Sequence, residues 1–211
     1  MNNTIENKTQ LAQTVTIGKD ELTDLLTGAL VGADKSKSAI SRLGSVYLSY
    51  QGGELAVKAS DRYALVIGRL HIGSDSVLDE IQLLVGDVKR ILSLIKENKD
   101  MRKDSPITLA RVGDILTVYS TDSSITIHLM GETFPSVDHI FKENSAIDSI
   151  SLSATRLGAF AKIPTSSPDT QLFLDFQAMT LDGNTVPSAI KIKVPHETIV
   201  WECALMPMRV R

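Results

Sequence analysis

Three stretches of this 211-residue chain share one plan: TVTIGKDELTDLLTGAL from Thr14, IQLLVGDVKRILSLIKE from Ile81 and SISLSATRLGAFAKI from Ser149. Each is a short alternating run, then a small or polar break, then apolar residues spaced i, i+3, i+4. Alternation with period 2 reads as a half-buried strand, and the 3.6-residue period reads as an amphipathic helix. The breaks, Gly18, Gly86 and Ser153, lie 68 and 67 residues apart and suit helix caps. The buried helix faces are expected to carry Leu22, Leu25, Leu26, Ala29, Leu30 and Ala33, then Val88, Ile91, Leu92 and Ile95, then Leu157, Phe160 and Ala161.

The segments after the helices repeat as well. SVYLSYQ, PITLARV and QLFLDFQ are strands, each succeeded by a hairpin-like pair. The pairs are ELAVKASDRYALVIGRLHI, ILTVYSTDSSITIHLM and AIKIKVPHETIVWECALM, with turns at Ser60-Asp61, Thr121-Asp122 and Pro195-His196. Leu55, Val57 and Asp61 fall into register with Leu116, Val118 and Asp122. The fold class is therefore α+β, built from three β-α-β-β-β units. Residues 1–13 read as a disordered leader, 14–143 as a full domain of two units, and 144–211 as a third unit. An odd number of units leaves one without a sister, so self-association through strand edges is expected.

No apolar run approaches the ~18 residues of a membrane span, and the polar start MNNTIENKTQLAQ is not a secretory signal. The single cysteine, Cys203, excludes an internal disulfide and suits a reducing cytoplasm. Net charge is −3, whereas proteins that hold nucleic acid by charge alone are usually basic.

The basic residues are nevertheless clustered. Lys89 and Lys96 share a helix face, with Arg90 adjacent; Lys99, Arg102 and Lys103 come next. Lys35, Lys37 and Arg42 lie after the first helix, and Arg156 and Lys162 accompany the third. Such residues solvate a helix face and complement its dipole. They could equally form a thin track for phosphates that reads no bases.

Chemistry-bearing motifs are missing. His71, His128, His139 and His196 have no metal-ligand spacing, and GxSxG, GxGxxG and GxxxxGK[ST] are absent, so no metal or cofactor is expected. Asp61 and Asp122 could act as acid or base, but their repetition at turns favours a structural role. The chain ends on WECALMPMRVR, whose methionines suit either core gaps or an adaptable binding surface.

ASDRYALVIGRL (59–70), FPSVDHIFKEN (134–144) and ALMPMRV (204–210) resemble, in order and spacing, segments of the bacterial sliding clamp, the β subunit of DNA polymerase III. The resemblance covers the chain from about Thr14 onward and looks most like the middle clamp domain plus the closing half of the last, a shortened clamp of a kind a bacteriophage could encode. It implies the processivity fold: β-α-β-β-β half-domains with antiparallel sheets outside and helices lining a central hole. It implies a non-enzymatic, ring-shaped homo-oligomer around duplex DNA, bound without sequence specificity, with the basic residues above facing the duplex. A closed ring holds DNA by topology, which reconciles a DNA partner with an acidic chain.

The resemblance also implies a hydrophobic pocket for short linear motifs of polymerases and other replication proteins. Its residues here would be Ser60, Arg62, Tyr63 and Leu65 on one wall, Met206, Pro207, Met208, Arg209 and Val210 on the other, and Lys142 near the junction. Ala64 stands where the family usually has arginine, and Val210 where leucine is common, with Arg211 beyond it. A rival reading keeps the pocket and drops the ring: a non-encircling adaptor or competitor that binds the same motifs.

Overall fold

The first strand of each of the first two units pairs outside its own unit. The computed structural model describes residues 12–34, 43–73, 77–97, 101–137, 140, 145–146, 152–166, 172–181 and 184–207. The first unit runs β1 (Gln13–Gly18), α1 (Lys19–Gly32), β2 (Ser45–Gln51), β3 (Glu54–Ser60) and β4 (Ala64–His71). The second runs β5 (Leu78–Leu84), α2 (Val85–Glu97), β6 (Pro106–Val112), β7 (Ile115–Tyr119) and β8 (Ser124–His128). β1 crosses to β6, placing Val15 opposite Leu109, while β5 crosses to β2, placing Ile81 opposite Leu48. All these pairings are antiparallel. The exchange joins the two units into one core, which alternation within a single unit does not reveal.

The third unit comprises β9 (Ser145–Ala146), α3 (Ala154–Phe160), β10 (Phe173–Asp175), β11 (Gln177–Leu181), β12 (Asn184–Pro187), β13 (Ile190–Val194) and β14 (Ile199–Leu205). The expected strand QLFLDFQ is thus broken at Phe176. β10 stays on β13, and β11 joins β12 and β9 in a separate three-stranded sheet. The β11–β12 hairpin has no counterpart in the sequence reading, which placed no strand in its return arm. β1 begins at Gln13, inside the expected leader, and residues 1–11 lie outside the described residues.

β14 then zips onto β4 over seven residues, from Ile199 opposite Leu70 to Leu205 opposite Ala64. One seven-stranded sheet, in the order β10-β13-β14-β4-β3-β2-β5, therefore joins strands of the third and first units and ends on β5 of the second. The expectation that the odd unit has no partner inside the chain is corrected at this edge: its last strand is satisfied by β4.

Alternation sorts the two faces of this sheet. Val57, Ala59, Val66, Trp201, Cys203 and Leu205 point into the main core with the helices, while Leu65, Ile67 and Ala204 form a second cluster. Helix α1 buries Leu22, Leu25, Leu26 and Ala29 and α2 buries Val88, Ile91 and Ile95, as their spacing predicts. α3 buries Phe160 alone; Leu157 is half-buried and Ala161, beyond its end, is exposed. Helices start at the expected breaks at Gly18, whose N–H donates to the Glu21 carboxylate at 3.3 Å, and at Ser153, whose hydroxyl accepts from the Arg156 N–H at 3.3 Å. α2 begins one residue before Gly86.

Candidate functional site

The turn between β3 and β4 is built by side chains. The Asp61 carboxylate accepts from the N–H groups of Tyr63 at 3.0 Å and Ala64 at 2.7 Å, a local bond pattern that fixes the chain reversal. The Ser60 hydroxyl donates to the Ala64 carbonyl at 2.9 Å and accepts from the Arg62 N–H at 3.2 Å. Arg62 is held at φ 79°, a left-handed conformation that disfavours a side chain and here turns Tyr63 outward. The β4–β14 ladder runs one pair further, with the Met206 N–H donating to the Tyr63 carbonyl at 2.7 Å. Tyr63 and Met206, 54% and 42% exposed, therefore stand side by side at the end of the joined strands.

Beside them lies an apolar floor. Leu65 and Ile67 from β4, Ala204 from β14 and Ala189 are buried together, and Phe134, Val137 and Ile140 pack on them from the connector. The connector is pinned across the sheet. The Phe134 N–H donates to Glu80 at 2.8 Å, Glu80 pairs with Lys58 at 3.1 Å, and the Phe134 ring meets Tyr47 edge-on at 5.1 Å. Gln82 adds a bond to Glu132 at 3.2 Å. The result is a small apolar cluster covered by the connector, with the exposed Tyr63 and Met206 at the end of the same strands.

Arg156, expected in the basic track, is engaged at this turn. Its guanidinium pairs with Asp61 and lies over the Tyr63 ring, 4.2 Å from the centroid. The base of α3 is thereby tied to the turn of the first unit. Asp61 thus makes three bonds within this lattice.

The helix side is different. Lys89 and Lys96 are exposed on the face of α2 opposite Val88, Ile91 and Ile95; Arg90 is exposed and paired with Asp87 at 3.0 Å. Arg102, Lys103 and Lys162 are also exposed. α1 is not basic: Lys19 is accompanied by Asp20, Glu21 and Asp24. Partial burial raises the Asp24 carboxyl above its ordinary value of 3.8, a rise opposed by His196, whose Nε2 lies 3.5 Å away. Burial also pushes the Cys203 thiol up to about 12. Among the described residues no group of His, Cys, Asp and Glu is placed to hold a metal ion, and no helix is long and apolar enough to cross a membrane.

Of the expected pocket residues, Ser60, Arg62, Tyr63, Leu65, Met206 and Pro207 come together at one strand end. Ser60 is engaged in the turn. Lys142, Met208, Arg209 and Val210 lie outside the described residues, as do Lys35, Lys37, Arg42 and Lys99 of the expected track. Phe134, Val137 and Ile140, which pack beside Leu65, were not among the residues singled out in the sequence. Their signal was present, since FPSVDHI carries apolar residues at spacings of three in the segment that also carried the family resemblance.

No protein-family model matches the sequence, and no curated protein does. Solved structures do match. The DNA polymerase III β subunit of Thermotoga maritima superposes with a TM-score of 0.70 at 13% identity, covering 94% of this chain and 66% of that one. The DNA polymerase sliding clamp of Bacillus subtilis gives 0.64 at 12% identity, covering 97% and 66%. The Pseudomonas aeruginosa sliding clamp bound to griselimycin gives 0.58 at 12% identity, covering 95% and 66%. The chain thus has the fold of these clamps and spans about two thirds of their length.

Proposed function

We propose that this chain, which has the fold of the bacterial sliding clamps, is a DNA polymerase processivity factor. It encircles duplex DNA in a ring-shaped homo-oligomer and tethers polymerase and other replication proteins through short linear motifs. It performs no catalysis and works in the cytoplasm. The observation that carries this reading is the pairing of unlike surfaces on one body: the exposed Tyr63 and Met206 side by side at the end of β4 and β14, and the exposed Lys89 and Lys96 on α2.

The physics of the two faces is complementary. A ring that cannot dissociate sideways needs only weak, sequence-independent phosphate contacts, so it can slide, and a net charge of −3 is no obstacle. Partner capture asks for the reverse. A short segment loses conformational freedom on binding and must offset that cost by burying apolar anchors in a preformed site. The exposed side chains of Tyr63 and Met206, beside the buried Leu65, Ile67 and Ala204, offer apolar surface for that purpose, and methionine repacks around different anchors.

The test is anisotropy of a labelled apolar peptide from a polymerase tail. Met206→Ala with Met208→Ala should weaken binding at least ~10-fold, a ~1.4 kcal/mol loss, with oligomer mass unchanged. Equal affinity removes the partner-site assignment.

One observation favours a non-encircling adaptor as the second reading. The β4 edge is already occupied by β14, so it is closed to a neighbouring copy. A chain that binds the peptide but is not retained on closed DNA fits the adaptor.

A further inference from the structure

Tyr63 is 54% exposed, yet its main chain is held at both ends. Its N–H donates to the Asp61 carboxylate at 3.0 Å, and its carbonyl accepts from the Met206 N–H at 2.7 Å. What remains to be fixed is the ring, since an exposed aromatic side chain samples several rotamers. Among the described residues one charged group lies over that ring, the Arg156 guanidinium, 4.2 Å from the centroid.

Arg156 reaches the ring from the third unit. It is the third residue of α3, and its N–H donates to the Ser153 hydroxyl at 3.3 Å. Phe160, four residues on and so on the same side of the helix, is fully buried in the main core and anchors α3 there. From this base the Arg156 side chain crosses to the first unit. Its guanidinium pairs with Oδ2 of Asp61, whereas Oδ1 accepts from the Tyr63 and Ala64 N–H groups. A planar guanidinium can pair through its edge and cover an aromatic ring with its face, which an ammonium cannot do. One carboxylate therefore serves both ends of Tyr63. Its Oδ1 fixes the main chain, and its Oδ2 holds the cation that covers the ring.

Resting on the partner-site reading of Tyr63 and Met206, we infer that Arg156 is a positioning residue for partner capture, holding the Tyr63 ring in one pose before a partner segment arrives. An ordered side chain gives up little freedom on binding, whereas a mobile one must be immobilised at a cost in affinity. The cation also attracts the ring face electrostatically, which maintains the pose in the free protein. Because Arg156 belongs to α3 and Tyr63 to the β3–β4 turn, affinity for the partner depends on the seating of the third unit on the first.

The test is a double-mutant cycle, read by anisotropy of the labelled apolar peptide. Arg156→Gln keeps an N–H for Asp61 and removes the cation from the ring. It should weaken peptide binding about 5-fold. In a Tyr63→Ala background the same substitution should change affinity by less than about 2-fold. A residue that only ties α3 to the turn would cost the same in both backgrounds, and that result overturns the inference. Affinity that depends on Tyr63 but not on Arg156 leaves the partner site and removes the positioning role alone. Affinity indifferent to both Tyr63→Ala and Met206→Ala removes the partner site and the role with it.

A second readout needs neither peptide nor an Arg156 variant. In the free protein the Arg156 Nε–H resonance should be displaced upfield by the ring current of Tyr63, and the displacement should vanish in Tyr63→Leu. A resonance at the same position in both proteins overturns the inference.

Discussion

The six-membered ring of Trp201 lies against the backbone of Gly28, so close that a Cβ at Gly28 would overlap the indole. Trp201 belongs to β14 of the third unit and Gly28 to α1 of the first. Gly68 of β4 presses on the same indole, so the ring, 2% exposed, sits in a slot between two glycines. The only tryptophan of the chain is thus the bolt between the first and third units.

Replacing a mid-helix glycine by alanine ordinarily stabilises by up to ~1 kcal/mol. At Gly28 the sign should reverse. Overpacking a filled slot costs about 1–3 kcal/mol, so Gly28→Ala should lower unfolding free energy by a net of up to ~2 kcal/mol in urea titrations. An increase would mean that the indole moves freely.

The lattice around Asp61 makes a second prediction. Asp61→Ala strips two backbone N–H groups of their acceptor and leaves Arg156 unpaired. The expected cost is about 1–3 kcal/mol, with loosening of the third unit seen as faster amide exchange in β14. Unchanged stability would contradict the structural role given to these bonds.

Asp24 sets a pH dependence of definite sign. A carboxyl whose pKa is raised in the folded state favours the protonated fold. Its contribution to stability is complete below 3.8 and is lost as pH rises through the raised value. Asp24→Asn is neutral at every pH. The stability of the variant relative to wild type should therefore improve between pH 3.8 and neutrality, in denaturant titrations at both ends. A pH-independent difference contradicts the burial argument.

Much of this architecture was legible in sequence because period and spacing are local. The apolar spacing of Leu22, Leu25, Leu26 and Ala29 set the inward face of α1, and the register of Leu55 and Val57 with Leu116 and Val118 placed four buried residues correctly. Long-range choices were not legible. Nothing in TVTIG says that it pairs with PITLA and not with its own unit, because both pairings bury Val15 and Ile17. The strand break at Phe176 was hidden because Leu172–Gln177 alternates well enough to continue. The engagement of Arg156 was not legible because charge on a short helix reads as solvated surface, and its partners Asp61 and Tyr63 are more than 90 residues away. The apolar floor was half seen: Leu65 was expected, whereas Val137 and Ile140 depend on where the connector crosses the sheet.

The measurement closest to the central claim is retention on DNA whose ends are closed after binding. Protein is allowed to thread onto linear duplex, the ends are blocked or ligated, and the complex is washed at high salt, which removes electrostatic binding. Encirclement predicts complexes that survive on closed DNA, vanish when the DNA is cut, and form less readily with Lys89→Glu and Lys96→Glu. Equal loss from closed and open DNA would contradict encirclement and leave a clamp-shaped protein that does not hold DNA by topology.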